Sequence, residues 1–183
     1  MGQLTLIVGG VRSGKSRLAE QLAAAAPPVT YVATAQAGDE EMARRIARHR
    51  QRRPADWTTV EEPWDLPRAL ADLDQPDAGQ GGTPGTVLVD CLTMWLTNLV
   101  VGLPGRPGRE DVDILAEVDA LAEAVRQTRA GVVVVSHEVG CGILPANALA
   151  RRFGDLLGEA NQLVAVAATE VHACIAGILV RIK

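Results

Sequence analysis

Residues 4–16 read Leu-Thr-Leu-Ile-Val-Gly-Gly-Val-Arg-Ser-Gly-Lys-Ser: five residues of strand composition run directly into Gly9-Gly10-Val11-Arg12-Ser13-Gly14-Lys15-Ser16. The octet fits G-x-x-x-x-G-K-[ST], and a helical pattern follows it from about 15 to 25, so motif and context agree on strand, phosphate loop and helix. Glycines let backbone N–H groups curl around phosphate oxygens, and the helix presents its positive N-terminus. Lys15 then reaches the β- and γ-phosphates, and the Ser16 hydroxyl is placed to ligate Mg²⁺. An ordinary glycine-rich βα turn is the alternative, and the flanking strand and helix weigh against it.

Working outward, Val29–Val32, Thr86–Val89 and Val132–Val135 are further near-continuous apolar runs of strand length, as expected where helices cover both faces of a sheet. Between them the spacing predicts helices over 39–52, 64–73, 92–101, 112–129 and 146–168, several with Asp near the start and Gly or Pro beyond the end. The expected fold is α/β, a phosphate-loop nucleotide-binding domain with a mostly parallel sheet and helices on both faces. Val171–Ile182 predicts two more strands around Gly177. The Gly- and Pro-rich stretches Asp77–Gly85 and Gly102–Gly108 read as exposed loops, too short to be linkers. There is no internal repeat.

The 183 residues suit one domain, 1–183. With 48% hydrophobic and 22% charged residues and no apolar run of about 18, the chain reads as soluble and globular, neither disordered nor membrane-spanning. The net charge of −4 supplies no global field toward nucleic acid or anionic lipid. Cys91, Cys141 and Cys174 form no C-x-x-C pair, and no signal-type segment precedes the first strand, so reduced thiols in the cytoplasm are expected.

A phosphate loop needs a second anchor for its metal, and Thr86-Val-Leu-Val-Asp90 supplies the usual form, an apolar strand ending in a carboxylate. Alone, such an Asp is more often an ordinary strand end; the phosphate loop turns the reading toward a metal partner. Six of the 18 basic residues fall in 44–53, leaving 12 basic against 22 acidic elsewhere. No aromatic residue occurs between Tyr31 and Trp57, which argues against a nucleic-acid patch. Helical spacing sets Met42, Ile46 and His49 on one inward-looking stripe. A His on such a face is ordinarily a hydrogen-bonded core residue, but here it lies among guanidiniums, whose charge favours the neutral, nucleophilic imidazole. His137 ends a strand and is a candidate for a role at the sheet's carboxyl edge, whereas His172 reads as structural.

These blocks together resemble the bifunctional adenosylcobinamide kinase/adenosylcobinamide-phosphate guanylyltransferase family of cobalamin biosynthesis. The resemblance rests on GGVRSGKS at 9–16, YVATA at 31–35, DEEMARRIARHRQRRPADW at 39–57, Glu61, VDCLTMWLTN at 89–98 and SHEVGCGILPANALARRFGDLLGEANQ at 136–162. It implies a RecA-like parallel sheet and a homotrimeric assembly. It implies that the guanylyl-accepting histidine is His49, and that guanine nucleotide contacts come from Gly9 to Ser16, Ala33, Thr34, Ala35, Arg50, Gln51, Arg52, Arg53, Glu61 and Asp90. Ser16 and Asp90 would hold Mg²⁺ and Lys15 would serve catalysis. Glu138, Asn161 and Gln162 are candidate pocket residues. The implied reaction phosphorylates the aminopropanol hydroxyl of adenosylcobinamide with ATP or GTP. It then transfers GMP from GTP through the histidine, giving adenosylcobinamide-GDP, with the corrinoid as the partner molecule and neither nucleic acid nor membrane involved.

Two other readings stay open on sequence: a phosphate-loop kinase of another small metabolite with His49 merely packed, and a nucleotide-sensing GTPase. The second lacks an Asn-Lys-x-Asp guanine motif.

Overall fold

The computed structural model describes residues 3–73 and 85–183. Nine strands and six helices alternate along these residues: β1 (Leu4–Gly9), α1 (Lys15–Ala24), β2 (Val29–Ala33), α2 (Glu40–Arg52), β3 (Thr58–Glu61), α3 (Leu66–Leu73), β4 (Thr86–Asp90), α4 (Leu92–Val101), β5 (Gly102–Leu103), β6 (Arg106–Pro107), α5 (Asp111–Gln127), β7 (Gly131–His137), α6 (Ala148–Ala167), β8 (Glu170–Ile175) and β9 (Ile178–Arg181). Seven of the strands form one sheet in the order β3-β2-β4-β7-β1-β8-β9, parallel throughout except for β9, which returns antiparallel to β8. This is the mostly parallel sheet with helices on both faces expected from the sequence, and β7 separates the strand leading into the phosphate loop from the one ending at Asp90. Among the described residues no helix is long and apolar enough to cross a membrane.

The period-2 alternation of strands divides the core between the two sheet faces. Leu4 and Leu6 of β1, Val87 and Val89 of β4, and Val132 and Val134 of β7 point to one side. There they meet α3, α4, α5 and α6 through Leu66, Leu70, Leu92, Trp95, Ile114, Val118 and Leu157. Ile7, Tyr31, Leu88, Val133 and Val135 point to the other side and meet Ala19 and Ala23 of α1. Because every side chain of the central strands is covered, those strands are apolar without alternation, the pattern read from the sequence.

Two local features differ from expectation. β3 was not foreseen: Thr-Thr-Val-Glu is short and half-polar, yet it pairs with β2 alone at the sheet edge, where exposed Thr58 and Thr59 are tolerated. Gly102–Gly108, expected as an irregular loop, contains the small β5–β6 hairpin. It is pinned because the Arg106 and Arg109 guanidiniums lie 5.4 and 5.0 Å from the Trp64 ring centre and Arg109 N–H donates to Leu99 O at 2.7 Å. Of the loop expected at Asp77–Gly85, residues 77–84 lie outside the described residues. The remaining elements begin and end within two residues of the expected bounds; Asp39 and Asn147 cap α2 and α6 by accepting from Met42 and Ala150 N–H.

Candidate active site

The phosphate loop hangs between the end of β1 and the start of α1. Gly14 sits at φ 97°, the left-handed region that favours glycine, and lets the chain enter the helix. Gly9 has a different reason: a Cβ there would lie 2.6 Å from Cys174 O and 2.8 Å from Ser13 Oγ. The loop is packed against the β8–β9 turn, where Gly177 N–H donates to Ser13 O at 2.8 Å and the Cys174 thiol donates to the same oxygen at 3.1 Å. Gly10, Val11 and Arg12 form an exposed rim. Lys15 is buried and its ammonium donates back to Gly10 O at 3.1 Å; burial holds its pKa below the usual lysine value.

Asp90, ending β4, is the hub. Its Oδ1 accepts from the Ser16 hydroxyl at 3.5 Å, and its Oδ2 accepts from the Tyr31 hydroxyl at 2.8 Å and lies 3.5 Å from His49 Nδ1. Burial alone would raise the Asp90 carboxyl, but hydrogen bonding from His49, Tyr31 and Ser16 outweighs it and holds the group below the ordinary carboxylate range. Tyr31 is kept protonated in turn, its pKa raised by burial and then by the charge of Asp90. An ionised carboxylate beside a hydroxyl suits Mg²⁺, a hard cation that takes few protein oxygens and completes its shell with waters and phosphates. Among the described residues there is no group of three or more His, Cys, Asp or Glu that could hold a metal ion.

α2 carries the expected half-buried stripe of Met42, Ile46 and His49, but none of its residues is fully buried. The surroundings expected for His49 need correction: it does not lie among guanidiniums alone, because Nδ1 is 3.5 Å from Arg52 Nη2 and equally far from the Asp90 carboxylate. A guanidinium only donates and a carboxylate only accepts. With the neutral ring's proton on Nδ1 toward Asp90, Nε2 keeps its lone pair. The neighbouring arginines tie the helix down: Arg50 pairs with Glu61 at the end of β3, Arg52 reaches Glu20 of α1 at 3.4 Å, and Arg53 stacks 3.4 Å from the Tyr31 ring centre. Gln51 is exposed. Glu20 is itself shifted upward by burial, with the Arg52 charge opposing.

Ala33 lies opposite Asp90 in the β2–β4 register. Thr34, the next residue, is fully buried; its hydroxyl accepts from Cys91 N–H at 2.8 Å and donates to Cys91 O at 2.7 Å, so its side chain fixes the chain just after Asp90. Ala35 is half-buried at the mouth. Asn98 of α4 donates to Thr34 O and Pro63 O, each at 2.9 Å, tying the ends of β2 and β3 together. Asn161 reaches the end of β7 through His137 O at 3.0 Å, whereas Glu138 is exposed and Gln162 bonds back to Gly158 of its own helix. His172 faces Glu170 at 3.1 Å within β8, consistent with a structural part.

Of the sequence-predicted residues, those of the phosphate loop, Ala33 to Ala35, His49, Glu61 and Asp90 thus gather at the carboxyl edge of β1, β2, β3 and β4, whereas Glu138 is exposed and Gln162 turns back to its own helix. Reasoning from sequence missed Tyr31, Glu20 and Thr93 as site neighbours, and the β8–β9 brace. Tyr31 carried one signal: a hydroxyl in a buried strand needs a polar partner.

Comparison with known proteins gives a consistent result. A sequence profile described as cobinamide kinase / cobinamide phosphate guanyltransferase matches residues 5–182. The bifunctional adenosylcobalamin biosynthesis protein CobP of Pseudomonas aeruginosa is 46% identical over 179 residues, covering 97% of this chain and 96% of that protein. The bifunctional adenosylcobalamin biosynthesis proteins CobU of Salmonella typhimurium and Escherichia coli are 43% and 41% identical over 188 residues, each covering 98% of this chain and 99% of the relative. The crystal structure of the RadB recombinase is similar with TM-score 0.48 at 17% identity, covering 94% of this chain and 74% of that one.

Proposed function

We propose, from the premise that this chain belongs to the cobinamide kinase / cobinamide phosphate guanyltransferase family, that one site at the carboxyl edge of its sheet performs both reactions of that family. The substrates are adenosylcobinamide, then its phosphate, with ATP or GTP as phosphoryl donor and GTP as guanylyl donor. The chain works as one domain, 1–183, in a cytoplasmic homo-oligomer, a trimer on the family likeness, without nucleic acid or membrane. The observation that carries the reading is the meeting of Ser16, Asp90 and His49 within 3.5 Å contacts, since it joins the metal-binding pair of a phosphate-loop kinase to a histidine such a kinase does not need.

In the first reaction the aminopropanol oxygen attacks the γ-phosphorus, its hydroxyl proton passes to solvent, and the bond to the β-phosphate oxygen breaks with its electron pair leaving on the nucleoside diphosphate. Backbone N–H groups of Gly9 to Ser16 hold the phosphates and Lys15 turns from Gly10 O to the oxygens that gain charge. Ser16 and Asp90 would hold Mg²⁺, which when bound spreads phosphate charge. In the second reaction His49 Nε2 attacks the α-phosphorus of GTP and pyrophosphate leaves. A phosphate oxygen of the corrinoid intermediate then attacks that phosphorus, the P–N bond breaks, and adenosylcobinamide-GDP is released. Asp90 orients the ring through Nδ1. Arg50, Gln51, Arg52 and Arg53 at the end of α2 and Glu61 at the end of β3 supply further nucleotide contacts, and Ala33 to Ala35 form the edge against which the nucleotide rests, with the buried Thr34 side chain setting the position of Asp90.

Incubation with GTP labelled at the α-phosphate tests the reading. The label should become protein-bound, acid-labile and relatively alkali-stable, as a phosphorus–nitrogen bond is, while γ-labelled GTP leaves none. His49→Ala should abolish it yet retain most of the kinase rate. Normal α-labelling of His49→Ala would remove His49 from the mechanism.

A further inference from the structure

His137, the last residue of β7, has no part in the chemistry above, yet its position is more tightly fixed than that of His49. β7 lies between β1 and β4, with His137 opposite Gly9 in register and the next residue, Glu138, donating its N–H to Gly9 O at 3.1 Å. Its imidazole therefore stands between the phosphate loop and the strand of Asp90. Three contacts hold the residue: its N–H donates to Thr93 Oγ1 at 2.8 Å, its carbonyl accepts from Asn161 at 3.0 Å, and ring Nδ1 lies 3.1 Å from the same Thr93 oxygen.

Proton accounting around Thr93 assigns the tautomer. Thr93 has one hydroxyl proton and two lone pairs, and the His137 N–H occupies one lone pair. Among the described residues Ser136 Oγ, fully buried, meets only Thr93 Oγ1, at 3.5 Å. If the Ser136 proton fills the second lone pair, Thr93 donates to Nδ1 and both hydroxyl protons are used; only the buried Cys91 thiol, a weak hydrogen-bonding group that also meets Thr93, gives up a partner. If Nδ1 carried the proton instead, it would fill that lone pair and the Ser136 hydroxyl would have no acceptor, an arrangement that costs about 1–3 kcal/mol. Nε2 therefore carries the proton, and no other group in the described residues takes it.

We propose that His137 Nε2–H is a neutral hydrogen-bond donor to the γ-phosphoryl group, serving the phosphoryl transfer step and not the guanylyl transfer. The loop and β4 flank the ring, and it is between these two elements that the reading above puts a triphosphate's terminal phosphate, with the α-phosphate toward α2 and His49. The donor adds to the stabilisation of charge that develops on the equatorial oxygens as the γ-phosphoryl moves to the acceptor hydroxyl, and the imidazole keeps its proton throughout. Neutrality is built into the place: burial, then the Lys15 charge, pushes the imidazole down to about 4, with Arg45 acting in the same sense and Asp90 opposing. A permanently neutral donor gives a response that does not titrate near pH 7.

The inference rests on the two-step reading above, so the test separates them. Nitrogen-15 NMR of the full chain, labelled at histidine, should show His137 neutral with its proton on Nε2 from pH 6 to 8. His137→Phe should lower the kinase kcat by about 100- to 1000-fold, the loss typical of removing one oxyanion donor. GMP labelling of His49 by α-labelled GTP should stay within about threefold. His137→Gln, whose amide N–H reaches toward the Nε2 position, should recover at least about tenfold of the Phe variant's kinase loss. A proton found on Nδ1, a Phe variant with unchanged kinase kcat, no recovery by Gln, or parallel loss of both activities would overturn the inference. Failure of the wild-type chain to take the α-label would instead count against the His49 reading, leaving the kinase rates and the tautomer to judge His137.

Discussion

Tyr31→Phe isolates one donor to the hub carboxylate without touching the phosphate loop. The Tyr31 ring is buried at 2% exposure and packs in the α1-side core, and Phe keeps that ring and its stacking with Arg53. What is lost is the 2.8 Å hydrogen bond from an O–H to an ionised, buried oxygen. Hydrogen bonds to charged groups contribute about 1.5–3 kcal/mol, and because His49 is also 3.5 Å from Oδ2 that oxygen is not left bare, so about 2 kcal/mol is expected. For a chain of this size that corresponds to a drop in Tm of about 4–8 °C. The sign of the pH dependence follows from Asp90. Its pKa is depressed in the folded state, so its contribution is present above the unfolded value and is lost as pH falls through the folded one. Removing one of the causes of that depression makes the variant's deficit full and flat from about pH 5 to 8, closing below about pH 4 as the carboxyl takes a proton in both proteins. Urea unfolding of metal-free protein across that range measures it. A deficit under about 0.5 kcal/mol at pH 7, or one that grows as pH falls, would refute the reasoning.

Asp90→Asn keeps the shape but removes the charge that a hard cation needs, so the Mg²⁺ concentration for half-maximal kinase activity should rise at least about tenfold; a Mg²⁺ titration that overlays wild type would reject the metal role. α2 buries no residue and is joined to the body chiefly by exposed ion pairs such as Arg50–Glu61, each contributing about 0–1 kcal/mol. Its amides should therefore exchange with solvent far faster than those of α4, which holds the fully buried Leu92, Trp95, Leu96 and Leu99, and equal protection of the two helices would contradict this.

The strands that carry the site were legible because they are buried on both faces and so read as unbroken apolar runs, and the phosphate loop because its octet fits a motif of fixed spacing whose glycines the fold requires at Gly9 and Gly14. β3 was not legible, since an edge strand of four residues needs no apolar pattern. The cluster at Asp90 was only half legible. Ser16 and Asp90 follow from the motif and a strand end, and His49 from the family likeness, but Tyr31 meets Asp90 only through the β2–β4 pairing, and no local pattern states which strands are neighbours. For the same reason the sequence left His49 among arginines: the 40 residues between it and Asp90 hide a 3.5 Å contact.

That contact bears on how one phosphate loop serves attack at two phosphorus atoms. A carboxylate offers about four lone-pair sites, and Ser16, Tyr31 and His49 engage three of those of Asp90. A metal held by Ser16 and Asp90 therefore need not displace His49, and the two chemistries do not compete for the same acceptor. What differs between them is the element that brings the attacking group. The parts proposed for the kinase step sit on β1, α1, β4 and β7, packed into both cores, while His49 sits on a helix with no buried residue whose anchors are long, exposed side chains. Repositioning a triphosphate would mean breaking the backbone cradle of Gly9 to Ser16, which is itself bound to the β8–β9 turn through Ser13 O. Repositioning α2 means exchanging Arg50–Glu61 and Arg52–Glu20 for phosphate contacts of the same charge type. In the proposed two-step reading, the balance of those terms leaves the fixed part of the site to γ-phosphate chemistry and the adjustable part to the α-phosphate.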